Sequence, residues 1–504
     1  MVLHSLLATG LALALAVTPA MARTLSVSAA NDPSTLDPLS CADITCSWVL
    51  RNVYEGLTRI DRTGSIQPAL ALRWELHDDN LGWTFHLRPG VKFHSGRLLT
   101  AADVKFTFEH TRSDQLKHVI GATEMREGKA TGLAGIRVID ELTLEIRFSR
   151  PDVLFPHYEF RIVDAEAVRQ TGAASLNRIS AGTGPFAVKH HKRGVEVALS
   201  AHQGYWAGAA RIEGVRFLIV PKEETALNQY EAGELDVVPL WPATAARVRR
   251  DRKLASEMIF APSAGIRYIG LSPRAYPPFA DKRIREAVCR AIDRDAVVKG
   301  FARGLGQPLY GAVSPISPGA NPDVDKAGFD LVHARRLLVE AGYPEGKGLP
   351  PLVLAAPAGS QDEAIYFADH LARALGLETK VEIAEFGTFF KSLKGGKVAF
   401  IHWGRTPSYV DPHGLLSQMW VSDSPFNFYG YSNPSFDRLI ERAAATVDND
   451  ARYAIYHEAE RILLDDWAFC GTFVRTQTAL VRSNTKGVEY GPTGLLPFTK
   501  VSID

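Results

Sequence analysis

The sequence predicts a fold of the α/β class. Short strand patterns alternate with helical patterns along the whole chain, which is typical of sheets that are covered by helices. No internal repeat, low-complexity tract or flexible linker interrupts this order. Clusters of proline and glycine at 181–185, 261–265 and 273–278 are the best boundary candidates. We therefore expect lobes joined by several crossings of the chain, rather than independent domains in a row.

Alternation of apolar and polar residues predicts the strands. It gives half-buried strands around Trp83 and Phe85 and around Leu144 and Ile146. Further strands are predicted at 25–29, 215–220, 266–271, 381–384 and 398–403, and around Cys470. These strand candidates are distributed over the whole length of the chain.

The helices are predicted from their ends. Thr100 and Asp103 form a capping-box-like start for the helix that follows. Asn433 and Pro434 supply an N-cap and a first-turn proline for a helix that reaches Ala445. Apolar residues at 334, 337, 338 and 341 form one face of a helix that glycine and proline end at 342–344.

Size and charge limit the function. The 504 residues correspond to about three domains of ordinary size. With 57 Lys+Arg against 56 Asp+Glu, the formal charge of +1 offers no basic surface for phosphates, so we expect no nucleic-acid partner. The sequence contains no H-E-x-x-H, G-x-S-x-G or Walker loop, and we expect neither an enzyme nor a cofactor.

The first 22 residues resemble a signal peptide. Residues 6–17 are apolar, Thr18-Pro19 follows, and small residues stand at 20 and 22, which favours cleavage after Ala22. The apolar run is too short for a stable membrane span, and no later window approaches 18 apolar residues. A buried N-terminal helix is the alternative. We expect an exported chain that begins at Arg23.

An exported chain can form disulfides. Cys41 and Cys46 are close enough for a local bridge and are a disulfide candidate, although their spacing does not decide the pairing. Cys289 follows a helical apolar pattern, which favours a buried thiol. A second bridge between Cys289 and Cys470 stays open.

Residues 68–110 resemble the signature stretch of the family 5 extracellular solute-binding proteins, which are oligopeptide-, dipeptide- and nickel-binding components of ABC importers. Other stretches match in the expected order over the mature chain. They are STLDP (34–38), VYEGL (53–57), GTGPF (182–186), GYW (204–206), AGELDVV (232–238), RIREAVCRAIDRDAVV (283–298), ARRLLVEAGYP (334–344) and YSNPSFD (431–437). We attribute the glycines of GTGPF to tight turns of the backbone, because the spacing does not fit a dinucleotide loop.

The resemblance implies a two-lobed periplasmic binding protein of type II, in the large class with an extra subdomain, whose lobes close over a ligand cleft by a hinge motion. It implies the following division: 1–22 signal peptide, 23–62 with 180–265 and 478–504 as lobe I, 63–179 as the extra subdomain, and 266–477 as lobe II. The implied protein is a periplasmic monomer that delivers a small peptide or peptide-like solute to the permease subunits of an ABC importer.

The family's ligand segment corresponds to residues 402–420. Trp403 and Arg405 are expected in the cavity wall, because such cavities combine aromatic faces with a few polar groups. Peptide-binding relatives often carry an Asp three residues after the Trp to pair with the ligand ammonium, but this chain has Thr406. Dipeptide binders also use an Arg after the strand at 351–356, and this chain has none in 356–362. Both departures weaken a simple dipeptide specificity.

Tyr409, Asp411 and His413 resemble the corresponding stretch of nickel-chelate binders, with one residue inserted. In that alternative His413 helps to hold the metal complex, since imidazole suits Ni(II), and Arg161 faces a carboxylate-rich chelator. Otherwise Asp411 caps the next helix, His413 lies at its surface, and Trp403 belongs to the core.

The opposite wall is expected from the loop at 39–46, where family members contact ligand. Asp43 and Thr45 are the candidates, and capping of the next helix is the alternative role for both. Two further functions stay open besides transport: a chemoreceptor adaptor that uses the same lobes and, more distantly, an exported hydrolase.

Overall fold

The computed structural model describes residues 23–41, 43–111, 135–324 and 328–504, so the predicted signal peptide lies outside the described residues. Twenty-three strands are present in this part of the chain. In chain order they are β1 Thr24–Ala29, β2 Thr58–Ile60, β3 Ile66–Pro68, β4 Ala71–Leu76, β5 Gly82–Leu87, β6 Ile136–Asp140, β7 Thr143–Arg147, β8 Phe186–Lys192, β9 Glu196–Ala201, β10 Gly214–Ile219, β11 Val237–Leu240, β12 Met258–Ala261, β13 Ile266–Leu271, β14 Gly306–Pro308, β15 Leu352–Pro357, β16 Thr379–Ala384, β17 Phe400–Arg405, β18 Phe469–Arg475, β19 Gln477–Val481, β20 Thr485–Lys486, β21 Tyr490–Gly491, β22 Gly494–Leu495 and β23 Ser502–Ile503.

Fourteen α-helices alternate with these strands in the described residues. They are α1 Ile44–Leu50, α2 Ala101–His110, α3 Ala165–Thr171, α4 Glu223–Ala232, α5 Pro242–Val248, α6 Arg252–Ser256, α7 Lys282–Arg290, α8 Arg294–Gly300, α9 Leu331–Glu340, α10 Gln361–Leu375, α11 Phe386–Lys394, α12 His413–Trp420, α13 Pro434–Ala444 and α14 Asn449–Asp465.

Two large sheets form the frame. The first has seven strands in the order β12-β19-β11-β1-β10-β9-β8, and the second has six in the order β14-β18-β13-β17-β15-β16. We call the part built on the first sheet lobe I and the part built on the second lobe II. The chain passes from lobe I to lobe II between β12 and β13 and returns between β18 and β19. Two crossings therefore join the two large sheets.

A third sheet of four strands, in the order β4-β5-β7-β6, has its own apolar core. This core includes Tyr409, which comes from the loop after β17 of lobe II. A backbone hydrogen bond of 3.1 Å from Val153 to the carbonyl of Ala444 joins the same two regions. The four-stranded unit thus packs against lobe II, although in the chain it belongs to the segment that precedes β8. The division into lobes and a subdomain at the exact residues given above stays a prediction.

The predicted elements are present, and their ends follow local signals. α2 starts with the capping box of Thr100 and Asp103, and Asn433 caps α13 through its side chain. β17 lies two residues further along than predicted, so Arg405 is its last residue. Apolar residues of α7, α9 and α10 cover one face of the six-stranded sheet, and those of α11 to α14 cover the other.

The glycines of GTGPF have a different role from the one predicted. Neither Gly182 nor Gly184 has a positive φ, so turn geometry is not the reason for them. A Cβ at 182 would lie 2.0 Å from the carbonyl oxygen of Val53, and one at 184 would lie 2.6 Å from that of Asn52. These glycines permit a close approach of two backbone segments.

All four cysteines are paired in the structure. Cys41 is joined to Cys46, and Cys289 of α7 is joined to Cys470 of β18. The expectation of a buried thiol at Cys289 is therefore wrong. The helical pattern showed correctly that this residue is buried, but its partner lies 181 positions away on a strand that packs under the helix.

Candidate ligand-binding cleft

The strand directions define one edge of the lobe II sheet that faces lobe I. β15, β16, β17 and β18 point the same way, and β13 runs against them. The carboxyl ends of those four strands and the amino end of β13 therefore lie at one edge. Both chain crossings leave from this edge, because they follow β18 and precede β13. Ligands of α/β proteins bind outside the carboxyl ends of strands, so this edge is the candidate site.

Trp403 and Arg405 lie on the same face of β17, two residues apart. The Trp403 ring is half-buried and packs edge-on against Phe389 at 5.5 Å. Arg405 donates from Nη2 to Oε1 of Gln418 over 3.1 Å, and its guanidinium lies 4.5 Å above the ring of Phe426. Its buried Nε has no partner in the described residues, and burial lowers the pKa of Arg405.

Tyr409, Asp411 and His413 are engaged inside the protein. Tyr409 is 1% exposed and its ring lies 5.3 Å from that of Tyr158 in the four-stranded unit. Asp411 accepts from the backbone N–H of His413 over 2.9 Å, and its burial raises its pKa. Nδ1 of His413 is 2.9 Å from the hydroxyl of Tyr456.

Asp411 also forms a buried ion pair. Nη2 of Arg452, on α14, is 3.1 Å from Oδ2 of Asp411, and both side chains are 3% exposed or less. In the described residues, no group of three or more His, Cys, Asp or Glu is arranged to hold a metal ion. This geometry ties the loop after β17 to α14 and to the four-stranded unit.

On the lobe I side, Asp43 caps α1. Its carboxylate accepts from the backbone N–H of Cys46 over 2.8 Å and from that of Ser34 over 3.0 Å. Thr45 is buried in the first turn of this helix. Asp43 thus has the capping role that was its alternative, whereas Thr45 lies inside the helix and does not cap it. Ligand contact by these two residues stays a prediction.

Arg161 lies against the same helix. Its Nη2 donates to Oγ of Ser47 over 2.8 Å, its Nε is buried without a partner in the described residues, and burial lowers its pKa. The neighbouring Arg51 reaches Oε2 of Glu159 at 3.3 Å. Two guanidinium groups and one carboxylate leave an excess of positive charge here.

A second group of arginines lies at the cleft edge of lobe II. Arg267 at the start of β13 and Arg475 at the end of β18 both pair with Glu363, which comes from the first turn of α10. Nδ1 of His402 is 3.2 Å from the same carboxylate. We call these four residues the Glu363 cluster. The Cζ atom of Arg475 lies 4.3 Å from the ring centre of Trp241, which precedes α5 of lobe I.

Residues 65–427 match the family model for bacterial extracellular solute-binding proteins, family 5 Middle. The chain belongs to this family. The solute-binding protein is 26% identical over 470 residues to the dipeptide-binding protein of Escherichia coli K12, covering 88% of this chain and 87% of that one. It is 28% identical over 509 residues to the periplasmic oligopeptide-binding protein OppA of the same strain, covering 95% and 93%.

The fold of this solute-binding protein is that of type II periplasmic peptide-binding proteins. The structure of the murein tripeptide binding protein MppA of Escherichia coli is similar with a TM-score of 0.85 at 24% identity, over 96% of this chain and 98% of that one. The family, the fold class and the two-lobed architecture predicted from the sequence are confirmed. No helix of the described residues is both long and apolar enough to cross a membrane.

Sequence reasoning did not find the Glu363 cluster of this solute-binding protein. The available signal was an arginine within each of two otherwise apolar strands, IRYIGL and FCGTFVR. Glu363 gave no signal of a functional role, because acidic residues are common in the first turn of helices. The cluster depends on β13 and β18 being neighbours, which local patterns do not encode.

Proposed function

We propose that this protein binds a small peptide or peptide-like solute in the cleft between lobe I and lobe II and delivers it to an ABC importer in the inner membrane. The observation that carries the proposal is the family match over 65–427, together with relatives that are named for dipeptide and oligopeptide binding. The two adjacent crossings between the large sheets supply the hinge that closure around a ligand requires.

The proposal extends to the cellular location and to the division of the chain. Residues 1–22 act as a signal peptide that is cleaved after Ala22, and the mature chain works in the periplasm as a monomer. Lobe II then contributes Trp403 and Arg405 to the ligand wall, and Arg161 contributes from the segment packed on α1. On both arginines a buried Nε has no partner among the residues that the structure describes, which supports a ligand acceptor nearby.

The contacts of Tyr409, Asp411 and His413 favour a structural role over a ligand role. Asp411 is neutralised by Arg452, and His413 is held by Tyr456. The relatives' names also do not favour the nickel-chelate alternative. Peptide binding is therefore the function that the geometry and the relatives support best.

Thermal unfolding of residues 23–504 tests this proposal. The ligand panel contains di-, tri- and longer peptides, glutathione and Ni(II)–histidine. A ligand at 100 times its Kd stabilises the folded state by about 2.7 kcal/mol, which is an easily measured rise in Tm. Arg405→Ala should abolish the peptide-dependent rise, whereas Arg442→Ala, an exposed arginine of α13 paired with Glu458, should leave it unchanged.

Two results would contradict the proposal. If Ni(II)–histidine alone raises the Tm and His413→Ala removes that rise, the protein is a nickel-chelate binder. If mass spectrometry recovers the bound peptide only as fragments, the protein is a hydrolase. Recovery of intact peptide after denaturation is the expected outcome.

A further inference from the structure

The Glu363 cluster carries more positive than negative charge. Arg267 and Arg475 are both cations, because guanidinium groups stay protonated in proteins. His402 is fully buried, and burial holds its pKa well below the usual range, so it is neutral. Glu363 is the one carboxylate within 4 Å of either guanidinium in the described part of the chain. The cluster therefore has a net charge of +1 in a largely desolvated position.

Hydrogen-bond donors of the cluster are unused. Nε of Arg267 and Nε of Arg475 are both buried and have no acceptor in the described residues. The two side chains are 12% and 21% exposed, so solvent reaches them only in part. Burial also lowers the pKa of Arg475 to about 9, which reflects the cost of keeping this cation out of water. A buried cation with a free donor is costly unless an anion compensates for it.

Gly404 leaves space for the guanidinium group of Arg267. Arg267 is paired in register with Gly404 of β17, and a Cβ at 404 would lie 2.4 Å from its Nη1. A side chain at 404 would therefore displace the guanidinium. Arg475 faces the other lobe, where the ring of Trp241 is 44% exposed. Charge, donors and a partly exposed aromatic ring thus meet at the edge from which both crossings leave.

We propose that Arg267 and Arg475 form a subsite for a carboxylate of the ligand, with Trp241 packing against the ligand from lobe I. The inference rests on the proposed function, since it names the part of the solute that this cleft selects. Planar guanidinium groups suit a carboxylate because they donate in a fixed fork geometry. The loop 356–362, which has no arginine, does not need to supply this contact. The carboxylate is either the C-terminus of a peptide or an acidic side chain.

Calorimetric titration of residues 23–504 with matched peptides distinguishes these two sources. A peptide that raises the Tm is compared with its C-terminal amide, and a Glu-containing form is compared with the Gln form. One of the two changes should weaken binding about 10- to 100-fold, the range expected for loss of a charge-assisted hydrogen bond. The change that weakens binding identifies the source.

Protein variants then locate the contact. Arg475→Gln should remove most of the difference between acid and amide, or between Glu and Gln, whereas Arg442→Gln should leave it intact. Glu363→Gln removes the competing carboxylate and should bind the acidic ligand more tightly than the unmodified protein does. A gain in affinity cannot result from misfolding, so the result with this variant can be interpreted even if the other substitutions destabilise the protein.

The inference is overturned if all four peptide forms bind within about twofold, or if Arg475→Gln leaves their ratios unchanged. If neither a peptide nor glutathione binds, the proposed function fails, and the subsite is then judged with citrate. Stabilisation by citrate that Arg475→Gln removes would support the subsite, and its absence would overturn the subsite too.

Discussion

Removal of the disulfide between Cys289 and Cys470 should destabilise the protein far more than removal of the one between Cys41 and Cys46. The first bridge joins α7 to β18 across 181 positions and closes most of lobe II into a loop. The second spans only 5 positions at the start of α1. The proposed tests are the paired variants Cys289→Ala with Cys470→Ala, and Cys41→Ala with Cys46→Ala.

The loop lengths give the magnitude. Closing a loop in the unfolded chain removes entropy that grows with the logarithm of its length, which amounts to about 5 kcal/mol for the long loop and about 2 kcal/mol for the short one. Cys289 and Cys470 are both buried, whereas in the short-loop pair Cys46 is buried and Cys41 only half-buried, so lost packing adds to the difference in the same direction. The long-loop variant should therefore lose at least about 3 kcal/mol more than the short-loop variant.

Equilibrium unfolding in urea, followed by circular dichroism, measures the two losses. Adding a reductant to the unmodified protein should reproduce their combined effect, and adding it to the long-loop variant should produce only the smaller loss. Equal losses in the two variants, or a larger loss in the short-loop variant, would refute the reasoning from loop length. Stability that depends on an oxidised pair also fits a protein that folds outside the cytoplasm.

Two further predictions concern buried acids. Asp411→Ala should lower the free energy of unfolding in urea by about 3 to 5 kcal/mol, because it leaves Arg452 buried and unpaired. A loss of peptide affinity at unchanged stability would instead assign Asp411 to the ligand. Burial raises the pKa of Asp152 to about 7, so the folded state binds a proton at this carboxylate more tightly than the unfolded state does. Its contribution to stability should therefore decrease by about 4 kcal/mol in total as the pH rises from below the unfolded-state pKa to above the folded-state pKa, and by about 3 kcal/mol of this between pH 4.5 and 8. Asp152→Asn should remove that slope when urea midpoints are compared at pH 4.5 and 8, and an unchanged slope would contradict the assignment.

The elements that the sequence predicted correctly are those with local signals. The capping box at Thr100 and Asp103 and the Asn433-Pro434 start need only a few adjacent residues to be recognised. The strand around Trp83 was predicted correctly for the same reason, because alternating apolar and polar residues within one short stretch indicate which side chains are buried. Local signals therefore predict where an element is, and they leave open which element it pairs with.

The site residues depend on pairing and could not be predicted in the same way. Tyr409 was a ligand candidate because its stretch resembles that of nickel-chelate binders, whereas in the structure its ring lies in the core of the four-stranded unit. Arg267 and Arg475 meet at Glu363 because β13 and β18 are adjacent and α10 covers their face of the sheet. No stretch of the sequence contains that adjacency, so a pattern search finds ordinary strand and helix residues there.

The position of the proposed carboxylate subsite has a consequence for closure. Arg267 is the second residue of β13, directly after the first crossing, and Arg475 is the last residue of β18, directly before the second. Chain segments at a hinge move least when the lobes close. We therefore expect their mutual geometry, fixed by Glu363 and by the β13–β18 pairing, to be the same in open and closed forms. The contact between Arg475 and Trp241 joins the two lobes next to these crossings, because Leu240 pairs in register with Thr478. The proposed carboxylate therefore neutralises excess charge at a preformed site on lobe II, and Trp241 is placed to pack against it from lobe I.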